Sequence, residues 1–144
     1  MTKRITIWMA ACAMFAAAAG LEIALSAQAG SVTAGVYTDA QAKRGEAVYK
    51  EQCAACHGED LKGSDIIPGL TGETFASSWQ GKSLGDLFEK IGMTMPALDP
   101  GSLKPEQTAD LIAYTLSVTK YPAGTTDLPS AQDALQQIKI DAAK

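Results

Sequence analysis

Aromatic side chains are scarce in this chain, at 6% of residues. That is thin for a self-sufficient hydrophobic core, so something other than the polypeptide is expected to supply part of the apolar volume. Positive charge is not in excess either: 12 basic residues face 16 acidic ones, a net charge of −4. A nucleic-acid-binding surface would be strongly basic, which disfavours DNA or RNA as partner. Histidine occurs once and cysteine three times. With 144 residues the chain has the length of one domain and lacks room for a dinucleotide-binding unit beside a separate substrate domain.

The N-terminus reads as a targeting segment. Lys3 and Arg4 precede an apolar run from Ile5 to Leu25, broken only by Glu22 and small residues. Ala27-Gln28-Ala29 then gives the small-x-small pattern of a signal-peptidase site. Residues 1–29 are therefore predicted to be a signal peptide, directing the protein to the periplasm. Cleavage leaves ten basic and fifteen acidic residues, a net charge of −5, and no membrane span. The run is also long enough to stay as an uncleaved anchor. Met9-Ala10-Ala11-Cys12 imitates a lipoprotein box, but the apolar segment continues well past Cys12. Export with cleavage is the preferred reading.

Cys53 and Cys56 are then the remaining cysteines, and they stand in the run Cys53-Ala54-Ala55-Cys56-His57, which also holds the single histidine. This C-x-x-C-H pattern is that of c-type haem attachment. Two intervening residues let one helical turn present both thiols to the two vinyl groups of a haem, and the adjacent imidazole then lies beneath the iron as proximal ligand. A lone C-x-x-C redox pair would leave His57 unexplained and lacks a surrounding βαβ pattern. A zinc site lacks a fourth ligand.

The rest of the chain reads as packaging for that haem. Thr38 as N-cap and Gln41 three residues on predict a helix from about Asp39 into Cys53, with Gly45 and Tyr49 on a face suited to a close helix crossing. Gly58 is placed to turn the chain away. Residues 58–82 read mainly as loop. Within them lies the apolar island Ile66-Ile67-Pro68-Gly69-Leu70, where the Pro68 carbonyl either accepts the second imidazole proton of His57 or belongs to a simple turn. Leu70 is expected beside the cofactor. Trp79 is open between covering a haem edge and ordinary core. Ser83 opens a second helix with a stripe of Leu84, Leu87, Phe88 and Ile91, predicted to end at Gly92 in a left-handed cap. Met95, in a segment rich in proline, is the expected sixth ligand in preference to Met93. Pro105 begins a third helix with Lys104 as a weak N-cap. A final short amphipathic helix after Pro129 is expected to pack back on the domain.

Together these features resemble class I monohaem cytochromes c. More narrowly, the chain is similar to the cytochrome c proteins and domains that accompany bacterial quinoprotein (pyrroloquinoline-quinone) dehydrogenases. The matching stretches are YKEQCAACHGEDL (49–61), LGDLFEKI (84–91), TMPALDPGSL (94–103), ADLIAYTL (109–116) and YPAG (121–124). The resemblance implies an all-α class I fold of about three core helices around one haem plus a short C-terminal helix. It also implies thioether bonds at Cys53 and Cys56, and axial ligation by His57 and Met95 with Pro68 as partner of His57. The expected organisation is a signal peptide (1–29), an N-terminal extension (30–37), and a cytochrome domain (38–144) including a C-terminal extension (121–144). The expected function is single-electron transfer, without catalysis, between a donor such as a quinoprotein dehydrogenase and an acceptor such as a terminal oxidase or another cytochrome. A bound subunit of a dehydrogenase or oxidase complex and, more remotely, a haem-based sensor are the alternatives. Lys104 and Thr119-Lys120 depart from the pattern of that branch, at helix ends and surface.

Overall fold

The structure is a computed structural model that describes residues 30–142; the predicted signal peptide and its alternatives lie outside the described residues. Helix α1 (Asp39–Gln52) begins where the sequence says it should: Thr38 Oγ1 accepts the Gln41 amide at 3.0 Å, and Asp39 sits at the positive end. A single turn, α2 (Ala54–His57), follows after Cys53 and ends at Gly58, whose φ of 78° suits a residue without a side chain. Then come α3 (Gly72–Trp79), α4 (Leu84–Thr94), α5 (Pro105–Val118) and the single-turn α6 (Gln132–Leu135). Two-residue strands β1 (Gly30–Ser31) and β2 (Ile138–Lys139) pair in parallel.

Helices α1 and α5 form the central crossing. At Gly45 an added Cβ would lie 1.8 Å from Asp110 O, so the two backbones touch. Arg44 straddles the same crossing, with Nε 3.1 Å from Asp110 Oδ2 and Nη2 2.7 Å from Asp127 Oδ2. Thr38 Oγ1 also donates to Asp127. α5 starts with Pro105 at its first turn; since Lys104 has no oxygen to offer, Gln107 reaches back to accept the Lys104 amide at 3.0 Å.

The main core unites the N-terminal segment, α3, α4, α5 and the tail. Val32 and Tyr37 from the N-terminal segment, Phe75 of α3, Leu84 of α4, Ile112 and Leu116 of α5, and Leu128, Leu135 and Ile140 of the tail are all buried. Each such aliphatic side chain contributes roughly 1.5–3 kcal/mol by leaving water. Gln41 seals the tail to α1 with paired bonds to Leu128, Nε2 to the carbonyl at 3.1 Å and Oε1 to the amide at 2.7 Å. The end of the chain closes on the start of α4: Ile140 N meets Lys82 O at 2.9 Å, and Ser83 Oγ meets Gln136 Oε1 at 2.6 Å.

The stretch 58–82 is mainly loop as expected, with α3 (Gly72–Trp79) inside it around buried Phe75. Two expectations are corrected. α4 does not stop at Gly92 but runs to Thr94, with Met95 N still bonded to Ile91 O at 2.9 Å. Pro96 decides this end, since the residue before a proline is pushed out of helical geometry, and Met95 has φ −125° and ψ 152°. The final helix is one turn and gives way to β2.

Two outcomes follow for stability. Gly45→Ala should gain about 1 kcal/mol of helix propensity but force α1 off α5. The clash dominates, and denaturant unfolding of the haem-loaded protein should show a net loss of about 2 kcal/mol or more. Asp86 accepts the Ser83 amide at 2.9 Å in the capping box of α4, and this bond holds its carboxyl below the usual carboxylate range. A lowered folded pKa means the stabilisation is complete above the unfolded pKa, about 3.9, and is lost as pH falls through the folded value. Asp86→Asn should therefore cost about 0.5–1 kcal/mol near neutral pH and flatten the acid limb of the stability profile.

Candidate haem-attachment site

α1 delivers Cys53 at its C-terminal end, and the turn α2 carries Cys56 and His57. Both thiols are free, Cys53 half-buried and Cys56 exposed. Burial, with a smaller contribution from Cys56, pushes the Cys53 thiol up to about 11. Reactive C-x-x-C pairs work through a lowered thiol pKa, the opposite direction to that at Cys53. Among the described residues no group of three or more Cys, His, Asp or Glu side chains is arranged to hold a metal ion.

His57 is 9% exposed and its Nδ1 lies 2.9 Å from Pro68 O. A carbonyl oxygen can only accept, so Nδ1 carries the proton and the lone pair is on Nε2. No hydrogen bond to Nε2 is made among the described residues. The Pro68 carbonyl is aimed by a tight loop. Ser64 N bonds Ile67 O at 2.8 Å and Leu70 N bonds Leu61 O at 2.7 Å. Gly63, at φ 70°, leaves no space for a side chain, since a Cβ would lie 2.2 Å from Ile67 O.

A second apolar cluster adjoins the motif. Tyr49, Leu61 and Leu111 are buried, and half-buried Cys53, Leu70, Ile91, Leu103 and Val118 pack on them. The structure thus brings Cys53 and Leu70 to one apolar wall and joins His57 to Pro68. Trp79 packs instead on the main core, its ring 4.8 Å from Lys82 Nζ. Met95 is half-buried at the end of α4, four residues beyond Ile91, which borders both clusters; Met93 is 67% exposed. A groove of about 450 Å³ beside α3 and the end of α5, lined by Phe75, Val118 and Tyr121 among others, includes none of the predicted site residues.

Sequence reasoning missed two contributors. Gly63 is required by the loop's doubling back, a need that the spacing of Gly63 and Gly69 about Pro68 hints at. The Tyr49 hydroxyl donates to Gly58 O at 2.6 Å, although the sequence suggests only a packing role for that ring. Burial raises the Tyr49 phenol above its ordinary value, so it stays a donor.

The donor set fits haem c: two unpaired thiols one helical turn apart, an imidazole with its tautomer fixed and Nε2 unbonded, and an apolar wall alongside. Comparison with known proteins agrees. The family model described as cytochrome c oxidase, cbb3-type, subunit III matches residues 40–114, just over half the chain and all of the stretch from Cys53 to Met95. A cytochrome c of Guizotia abyssinica is 31% identical over 100 residues, covering 54% of this chain and 90% of its own. The crystal structure of the sulfane dehydrogenase SoxCD from Paracoccus pantotrophus contains a chain of like fold, with a TM-score of 0.55 and 22% identity over 68% of this chain. This protein spans about half (52%) of that chain's length. A mostly helical fold built around a C-x-x-C-H turn, matched by this family model, places the chain in the haem-bearing, electron-transporting cytochrome c family, in the group described as cbb3-type oxidase subunit III, with haem c covalently attached at Cys53 and Cys56.

Proposed function

We propose that the chain is an exported, periplasmic monohaem carrier that takes single electrons from a dehydrogenase, a quinoprotein enzyme in the first instance, and passes them to a respiratory acceptor. In this reading residues 1–29 are a cleaved signal peptide, 30–37 an extension, and 38–144 the cytochrome domain. The observation that carries it is the bond from His57 Nδ1 to the Pro68 carbonyl, which leaves Nε2 free as an axial donor. Haem c supplies a one-electron Fe(III)/Fe(II) couple when bound.

The chain's own residues do the rest. Cys53 and Cys56 tether the group, and His57 holds its proton at Nδ1 against Pro68. Met95 offers a thioether, a soft donor that favours the reduced metal, from a position fixed by the end of α4. Leu70, Ile91 and Leu103 keep water from the site, and Trp79 packs on the main core that Ile91 also borders. With His57 and Met95 both offered to the metal, the chain would leave no coordination position for a substrate, which supports transfer over catalysis.

Surface charge supports a basic partner face. Lys50 and Lys62 are neutralised by Glu46 and Asp60, at 2.6 Å and 3.1 Å, while Glu51, Glu59 and Asp65 stand exposed around the motif. Complementary charge of this kind mainly accelerates encounter. A second reading, a cytochrome subunit held permanently in a dehydrogenase or oxidase complex, is favoured by the likeness in fold to a chain of a solved dehydrogenase, 52% of which is covered.

Two measurements test these readings. The oxidised protein should show a weak near-infrared sulfur-to-iron band, lost together with a fall in midpoint potential in Met95→Ala and unchanged in Met93→Ala; the reverse pattern moves the ligand to Met93. Gel filtration of the native export fraction should find the haem-stained chain at monomer size, whereas constant co-elution with a dehydrogenase or oxidase favours the subunit reading.

A further inference from the structure

Tyr49 lies one turn before Cys53 on α1 and is 1% exposed. Its ring packs on Tyr114 of α5 with centroids 5.4 Å apart, and its hydroxyl donates to Gly58 O at 2.6 Å. Gly58 directly follows His57. The same carbonyl also accepts Leu61 N at 3.3 Å, and His57 O accepts Gly63 N at 2.9 Å. With Leu70 N on Leu61 O, the segment from His57 to Leu70 is closed on itself by backbone bonds. Among the described residues, the Tyr49 hydroxyl makes the side-chain hydrogen bond that ties this closed segment back to α1.

We propose that Tyr49 is a positioning residue for His57: by holding the Gly58 carbonyl, its hydroxyl keeps the loop that presents Pro68 O within bonding distance of His57 Nδ1. The proposal rests on the reading of His57 as an axial donor. Phenylalanine at position 49 would fill the same space against Tyr114, so the hydroxyl is not needed for packing. Its loss leaves Gly58 O with the longer Leu61 bond alone. The loop can then drift from the imidazole, the Nδ1–H···O bond weakens, and the ring becomes less electron-rich. A less electron-rich imidazole stabilises the oxidised metal less, so the potential rises.

The test compares Tyr49→Phe with Tyr114→Phe in the haem-loaded protein. Tyr114 is the right control because its ring shares the same contact while its hydroxyl makes no hydrogen bond among the described residues. Two quantities are read: solvent exchange of the His57 Nδ1–H in the reduced protein by NMR, and the midpoint potential. Tyr49→Phe should speed the exchange about fivefold, the factor for loss of one neutral hydrogen bond, and raise the potential, with Tyr114→Phe like wild type. If Tyr49→Phe matches Tyr114→Phe in both readouts, the hydroxyl does not position His57 and the proposal falls. A wild-type protein without a protected His57 Nδ1–H would instead overturn the axial reading of His57 on which it stands.

Discussion

One hydrogen bond, 2.9 Å from His57 Nδ1 to the Pro68 carbonyl, decides what the single histidine of this chain can do. An imidazole that donates its Nδ1–H to a backbone carbonyl keeps its lone pair on the opposite nitrogen, and the bond fixes the orientation of the ring. Much of the local structure serves that bond. The glycine at 63 lets the loop double back, backbone pairs from Ser64 to Ile67 and from Leu61 to Leu70 stiffen it, and the Tyr49 hydroxyl ties it to α1. α1 is in turn fixed by its contact with α5 at Gly45, where no side chain fits. The local order runs from a helix crossing to a loop to one ring nitrogen.

The protein around this arrangement divides its apolar side chains between two clusters. The main one is built from the N-terminal segment, α1, α3, α4, α5 and the tail through Leu128, Leu135 and Ile140. The smaller one, beside Cys53, has three buried members and is bordered by half-buried Leu70, Ile91 and Leu103. That division gives physical meaning to the low aromatic content: the polypeptide saturates one core, while the wall next to the attachment turn is the apolar surface a haem would complete.

What was legible in the sequence follows from the range of the interactions involved. The C-x-x-C-H turn, the Thr38 and Ser83 caps and Pro105 are local signals, and the structure has helices α1, α4 and α5 where they point. α3 was hidden because Thr71 makes no side-chain cap bond and its residues are glycine- and serine-rich; burial of Phe75 holds it. The pairing of β1 with β2 joins residues more than one hundred positions apart, which no local pattern announces. Gly92 looked like a stop, but the proline at 96 exerts the stronger constraint. At the site, residue types were readable, whereas the Tyr49 hydroxyl and the need for Gly63 depend on where a loop returns in space.

The central claim, covalent haem at Cys53 and Cys56, is tested most directly by mapping the tryptic peptides of the purified native protein. Cleavage after Lys50 and Lys62 releases the peptide from Glu51 to Lys62, which holds both cysteines and His57. The account predicts that this peptide absorbs as a haem, carries the mass of one haem, and has no thiol open to alkylation. The same peptide recovered with two free thiols, or with an internal disulfide, would contradict it.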